Sequence, residues 1–215
     1  MPTKKNQTSN LRANVTAKMF KATKEQQDSP KDAVALLKAD HQEVTKLYEA
    51  FEKAKSAPQK KTLAGEICLA LSVHMRIEEE ILYPAAKKAL KDKDGKELVP
   101  EARVEHASLK QLITEVETAP ESEEFDARIK VMSEYTKHHV KEEETEMFPK
   151  LQATDLDLDD LGHTLQVRKL ELLDEMATKA SRLSKPPKPS SLFTPRSRTT
   201  RAGRGNSSRH PHARG

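Results

Sequence analysis

His74-Met75-Arg76-Ile77-Glu78-Glu79-Glu80-Ile81-Leu82-Tyr83-Pro84 returns 65 residues later as His139-Val140-Lys141-Glu142-Glu143-Glu144-Thr145-Glu146-Met147-Phe148-Pro149. Each stretch has a leading histidine at the same distance: His41 stands 33 residues before His74, and His106 stands 33 before His139. An acid directly precedes each leading histidine, Asp40 in one copy and Glu105 in the other. The copies agree at His and Glu and drift between them. That is the pattern of a metal site made by internal duplication.

The chain around these residues reads as helices. Ser29-Pro30-Lys31-Asp32 is a helix start, with a Ser cap and Pro at the first helical position. Val34, Leu37, His41, Val44, Leu47, Tyr48 and Phe51 then recur at helical spacing to about Ala54, where Ser56-Ala57-Pro58 breaks the run. A second helix is predicted from about Gln59 to Leu90, kinked or cut short at Pro84, which has no N–H for the ladder. Asp92-Lys93-Asp94-Gly95 reads as a turn. A third helix runs from near Val99-Pro100 to Thr118, a fourth from about Ser122 to Leu151, and a fifth from about Asp155 to Leu183. No segment alternates in the manner of a strand. The class is all-α.

Short breaks between helices 1 and 2, and between 3 and 4, make those pairs antiparallel neighbours. His41 and His74 each lie about 15 residues from the first turn, hence roughly 22 Å from it at 1.5 Å per residue. His106 and His139 straddle theirs almost as evenly. The expected architecture is an up-down-up-down four-helix bundle with a layer of His and Glu across its middle, an additional C-terminal helix, and disordered tails.

In a helix, residues i and i+4 stack on one face. His74/Glu78 and His139/Glu143 can each offer an imidazole nitrogen and a carboxylate to one point, and His41 and His106 add an imidazole from each remaining helix. Four His and two Glu form a mixed nitrogen and oxygen set suited to iron, with manganese or zinc also matching the donors. Six buried polar side chains without a metal are costly, so the metal-free core is expected to be loose.

The order His41, His74-x-x-x-Glu78, His106, His139-x-x-x-Glu143, with its Tyr-Pro and Phe-Pro endings, resembles the hemerythrin-like HHE cation-binding family over about residues 32–153. The resemblance implies a bundle holding a non-haem di-iron centre that binds dioxygen, nitric oxide or peroxide, with His41, His74, Glu78, His106, His139 and Glu143 as the metal ligands. Its implied roles are redox and stress handling, with or without catalytic turnover. The alternative is an iron- or oxygen-responsive sensor acting through a protein or nucleic-acid partner. The oxygen-carrying members place a second His one turn along the third helix, where this chain has Lys110. That departure is closer to sensor and stress-related members than to reversible carriers.

Other residues receive weaker readings. His138, whose counterpart is Val73, lies outside the ligand set, supporting it or on the surface. Glu79 and Glu144 recur in both copies, either supporting the ligands or as solvated charges. Tyr48 and Tyr135 are read as packing residues, with donation to a bound oxygen species as the alternative. Cys68 is a small buried apolar residue, and His163, His210 and His212 have no assigned role. A ferritin-like site needs Glu-x-x-His on two helices. The nearest approach here, Asp160-Leu161-Gly162-His163, is single and outside the bundle.

Composition frames this reading. Of 215 residues, 35% are apolar and 33% charged, with no Trp and one Cys, so a disulfide framework is excluded. The start Met1-Pro2-Thr3-Lys4-Lys5 has no apolar stretch behind it, so no secretory signal is read, and no run approaches a membrane span. The chain is read as soluble and cytoplasmic. Residues 1–31 carry +5 and residues 184–215 carry +8, which leaves −9 on the centre of a chain whose total is +4. An acidic centre suits a cation site, and the basic ends suit weak contact with a polyanion. The domains are accordingly 1–29, a polar tail with a short amphipathic stretch over 10–27; 30–153, the metal-binding bundle; 154–183, the C-terminal helix; and 184–215, a basic Pro/Ser/Arg-rich tail.

Overall fold

The computed structural model describes residues 32–184. Helix α1 (Ala33–Lys53) starts on Asp32, whose side chain accepts from the Ala35 N–H at 2.8 Å. The cap is therefore Asp32, where the sequence had suggested Ser29 with an acid inside the first turn; Asp32 has non-helical dihedrals and Ser29 lies outside the described residues. Helix α2 (Ala57–Ile77) is capped by Ser56 and has Pro58 in its first turn, where a missing N–H costs nothing.

Helix α2 ends before Pro84. Its ladder changes earlier, in a π turn over Glu78–Leu82, closed by the Tyr83 N–H bonding back to the Glu78 carbonyl. Helix α3 (Tyr83–Ala89) follows with Pro84 in its first turn. The second copy does the same: α5 (Phe125–Glu142) passes into a π turn over Glu143–Met147 and then α6 (Phe148–Gln152), which begins with Pro149 in its first turn. Both π turns open on the glutamate of the repeat, and such turns are frequent at functional positions.

Between the copies, α4 (Lys93–Thr118) starts earlier than the sequence suggested. Asp92 and Gly95, read as a turn, form a cap in which the Gly95 N–H donates to Asp92 at 2.9 Å. A Cβ at Gly95 would overlap the Asp92 carboxylate and the Leu90 side chain, so glycine is needed there. Pro100 sits inside this helix, not at its start. Finally α7 (Leu158–Ser184) packs on α1, α2 and the first π turn, burying Leu165, Leu172 and Leu173 completely. The amphipathic stretch over 10–27 and the basic tail lie outside the described residues.

The bundle is formed by α1, α2 with α3, α4, and α5 with α6. Its apolar core falls into two clusters. One gathers Leu37, Ile77, Leu82, Tyr83, Met147 and Phe148 with the leucines of α7. The other gathers Val44, Phe51, Ile67, Leu71, Leu109, Ile129 and Met132. The expected His and Glu layer lies between them, since His41 sits between Leu37 and Val44 on α1 and His139 between Met132 and Met147. Large apolar contacts on both sides hold the layer dry.

Candidate metal centre

All six predicted residues meet in this layer, and none is more than 7% exposed. His41 Nε2 lies 3.1 Å from His74 Nε2, and His106 Nε2 lies 3.0 Å from His139 Nε2. The equal heights counted from the sequence are thus met in both copies. Each glutamate reaches across the duplication. Glu78 is 3.2 Å from His74 Nε2 and 3.4 Å from His106 Nε2, while Glu143 is 3.5 Å from His139 and 3.4 Å from His41. One set of donor atoms, from His41, His74, Glu78 and Glu143, and a second, from Glu78, His106 and His139, each fall within 4.8 Å.

The outer face of every ring meets a carboxylate. His41 Nδ1 is 2.8 Å from Glu144, His106 Nδ1 is 3.0 Å from Glu79, and His139 Nδ1 is 2.7 Å from Glu105. The fourth pair, His74 Nδ1 and Asp40, is 3.6 Å apart, an ion-pair distance and not a hydrogen bond. The pairing follows the repeat throughout. Glu79 and Glu144 therefore support the rings, and Asp40 and Glu105, noted in the sequence only as neighbours, do so as well. A carboxylate can only accept, so in each hydrogen-bonded ring Nδ1 carries the proton and a neutral ring turns its Nε2 lone pair inward.

That tautomer decides the fit. The His41 and His106 Nε2 lone pairs point inward, and the buried oxygens of Glu78 and one of Glu143 have no hydrogen-bond partner. Such an arrangement is costly in a dry core unless cations lie among the donors. Burial and the neighbouring Glu143 charge raise the Glu78 carboxyl well above the usual range. Burial pushes Glu143 the same way, but the neighbouring His139 outweighs it and holds Glu143 ionised. Burial lowers His74 as well, and burial together with the His139 charge lowers His106 to about 3, so both rings are neutral donors at ordinary pH. The residues fit a di-iron or similar metal pair.

Tyr83 was missed as a site residue. Its hydroxyl donates to Glu143 at 3.0 Å and lies 3.1 Å from His106 Nε2, with the ring tilted against His106. Burial, then the charges of Glu78 and Glu143, keep the phenol protonated. The available signal was the repeat itself, which puts Phe148, stacked on His41, at the matching position. We expect Tyr83→Phe to cost the metal-free chain about 1.5 kcal/mol, the range for a hydrogen bond to a charged group. Urea unfolding measures this, and an unchanged midpoint would show that Glu143 does not need the hydroxyl.

The remaining candidates separate clearly. Tyr48 is buried against Thr136 at 3.1 Å, as a packing residue should be. Tyr135 is 50% exposed, so neither of its expected roles holds; it shares a helix with His139 but lies on the outer face. His138 is on the surface beside Glu105 and Glu142. Lys110 does not enter the layer, because it donates twice to Glu79 at 2.6 Å. The sequence also gave no hint of Lys169 on α7, which is buried and 2.5 Å from Asp40 Oδ1. Burial would raise the Asp40 carboxyl, but Lys169 and His74 outweigh it and hold it ionised.

The Hemerythrin HHE cation binding domain matches residues 32–151, most of the described chain. The chain belongs to the hemerythrin HHE cation-binding family. The family match covers both copies of the repeat and all six candidate ligands. A DNA nickase from Nostoc sp. (strain PCC 7120 / SAG 25.82 / UTEX 2576) is similar, 25% identical over 114 residues, which are 53% of this chain and 31% of that protein. The chain thus spans about a third of the relative it matches. No solved structure matches it. Among the described residues no helix is long and apolar enough to cross a membrane.

Proposed function

We propose that this chain is a cytoplasmic non-haem di-iron protein that binds dioxygen, nitric oxide or peroxide in redox or stress handling. In this reading His41, His74, Glu78, His106, His139 and Glu143 hold the two ions. The observation that carries it is the inward set of four Nε2 atoms around two carboxylates, with a carboxylate behind each ring. Manganese or zinc match the donors too, but the balance of four nitrogens and two carboxylates favours iron.

Bound there, iron supplies redox-active positions for a small ligand; the protein's part is to orient, exclude and donate. Glu78 and Glu143 each face histidines of both copies, so both carboxylates would hold the metal alongside rings from either side. The two apolar clusters keep bulk water out. A cavity of about 20 Å³ beside His41, His74 and His139 has room for roughly one water-sized molecule, which suits a diatomic or peroxide. The Tyr83 hydroxyl is a protonated donor against Glu143. Taking up metal requires the proton on the Glu78 side of the pair to leave.

The test is to load the full chain with ferrous iron without air, then admit oxygen, nitric oxide or peroxide. Both ions, a ferric band on oxidation, and loss of both with His74→Ala and His139→Ala are the expected results. Iron content unchanged by those substitutions would end the ligand assignment. A second reading, a metal-responsive module acting on a nucleic-acid partner, is favoured by the named nickase and by the +5 and +8 ends. Incubating the chain with supercoiled plasmid separates the two. Metal-dependent relaxation or retention of the plasmid, without turnover of peroxide or nitric oxide, would support the second reading over the first.

A further inference from the structure

The two copies of the repeat differ most on their outer shoulders. In the first copy, Asp40 backs His74, and the neighbouring positions Val73 and Ile77 are buried against α7. Lys169 from α7 sets a fixed ammonium on the outer oxygen of Asp40. In the second copy the corresponding residues are Glu105, His138 and Glu142. Here two apolar positions have become an imidazole and a carboxylate, and the His138 side chain is 64% exposed.

These three side chains converge. His138 Nε2 is 3.3 Å from Glu105 Oε1 and 3.1 Å from Glu142 Oε1, and the donor atoms lie within 4.8 Å of one another. Glu105 has two faces: Oε2 holds His139 Nδ1 at 2.7 Å inside the bundle, while Oε1 faces His138 outside. One acid behind a ring is neutralised by a lysine in the first copy. Its twin is offered an imidazole and a second carboxylate, the donor types that first-row divalent ions take.

We propose that Glu105, His138 and Glu142 form an exterior site for a divalent first-row cation, and that ions pass from it to the buried centre. The second clause rests on the di-iron reading above. The site is labile because it is open to water, and it lies one residue from His139. Glu105 and Glu142 give this shoulder the negative potential that gathers cations.

The experiment uses the full metal-free chain and Mn²⁺ as the probe. Bound ions are counted at equilibrium from the free-Mn²⁺ electron spin resonance signal, then again after rapid gel filtration. The expected result is one ion present only at equilibrium in addition to those retained. His138→Ala, at an exposed position, and Glu142→Gln, at a half-buried one, should weaken that labile ion about tenfold or more. They should also slow ferrous uptake at limiting iron by a similar factor while leaving the retained ions in place. No labile ion in the wild type, or one kept by both variants, would overturn the site. Loss of the labile ion with unchanged uptake would overturn the feeding role. Retained ions absent from the wild type, with a labile ion lost in the variants, would support the site and count against the di-iron reading instead.

Discussion

Removing iron from the loaded chain is expected to lower its melting temperature by about 10 °C. A ligand that binds only the native state at a thousandfold excess over its dissociation constant adds about 4 kcal/mol, and each kcal/mol is worth about 2–4 °C in a chain of this size. The physical source is the layer between the two apolar clusters. Without cations, the His41 and His106 lone pairs face a layer in which Glu78 keeps two buried oxygens without partners. Circular dichroism melts of loaded and chelated protein make the comparison. A melt that chelation leaves unmoved would mean the layer is satisfied by its own protons, and would remove the main argument for a metal.

Glu78→Leu should give effects of opposite sign in the two states. Glu78 is wholly buried, and its carboxyl is raised by burial and by Glu143. Both Glu78 oxygens are buried without a hydrogen-bond partner and Glu143 repels them, and a buried polar group left unsatisfied costs about 1–3 kcal/mol. The metal-free variant should therefore be about 2 kcal/mol more stable than metal-free wild type. It should also fail to gain stability from iron, because Glu78 is the residue shared by both donor sets. Urea curves with and without iron read both effects at once. A variant that is weaker than metal-free wild type would show that Glu78 is supported by contacts that the lone-pair argument overlooks.

The sequence made the bundle and the layer legible because duplication repeats a spacing, and spacing on helices translates directly into height and face. His41 with His74, and His106 with His139, were placed at one level by counting alone. The π turns were not legible: hydrophobic periodicity follows an average pitch and does not register one residue of slack at Glu78 or Glu143. Pro84 drew attention to the right neighbourhood, but the ladder had already changed before it. The early start of α4 was hidden because Asp and Gly serve turns and helix caps alike. Lys169 was out of reach because its role depends on how α7 docks, which no local pattern states. Tyr135 was misjudged because an offset of four residues keeps it within about 40° of the His139 face, and at the edge of that stripe its side chain is 50% exposed.

The hydroxyl of Tyr83 has no twin, because Phe148 fills the matching place. A complex of two separate, identical hairpins could carry a phenol at both places or at neither. Joining the hairpins in one polypeptide removed that restriction, so mutation could mark one side alone. The pair of positions at the centre of this bundle therefore has a left and a right.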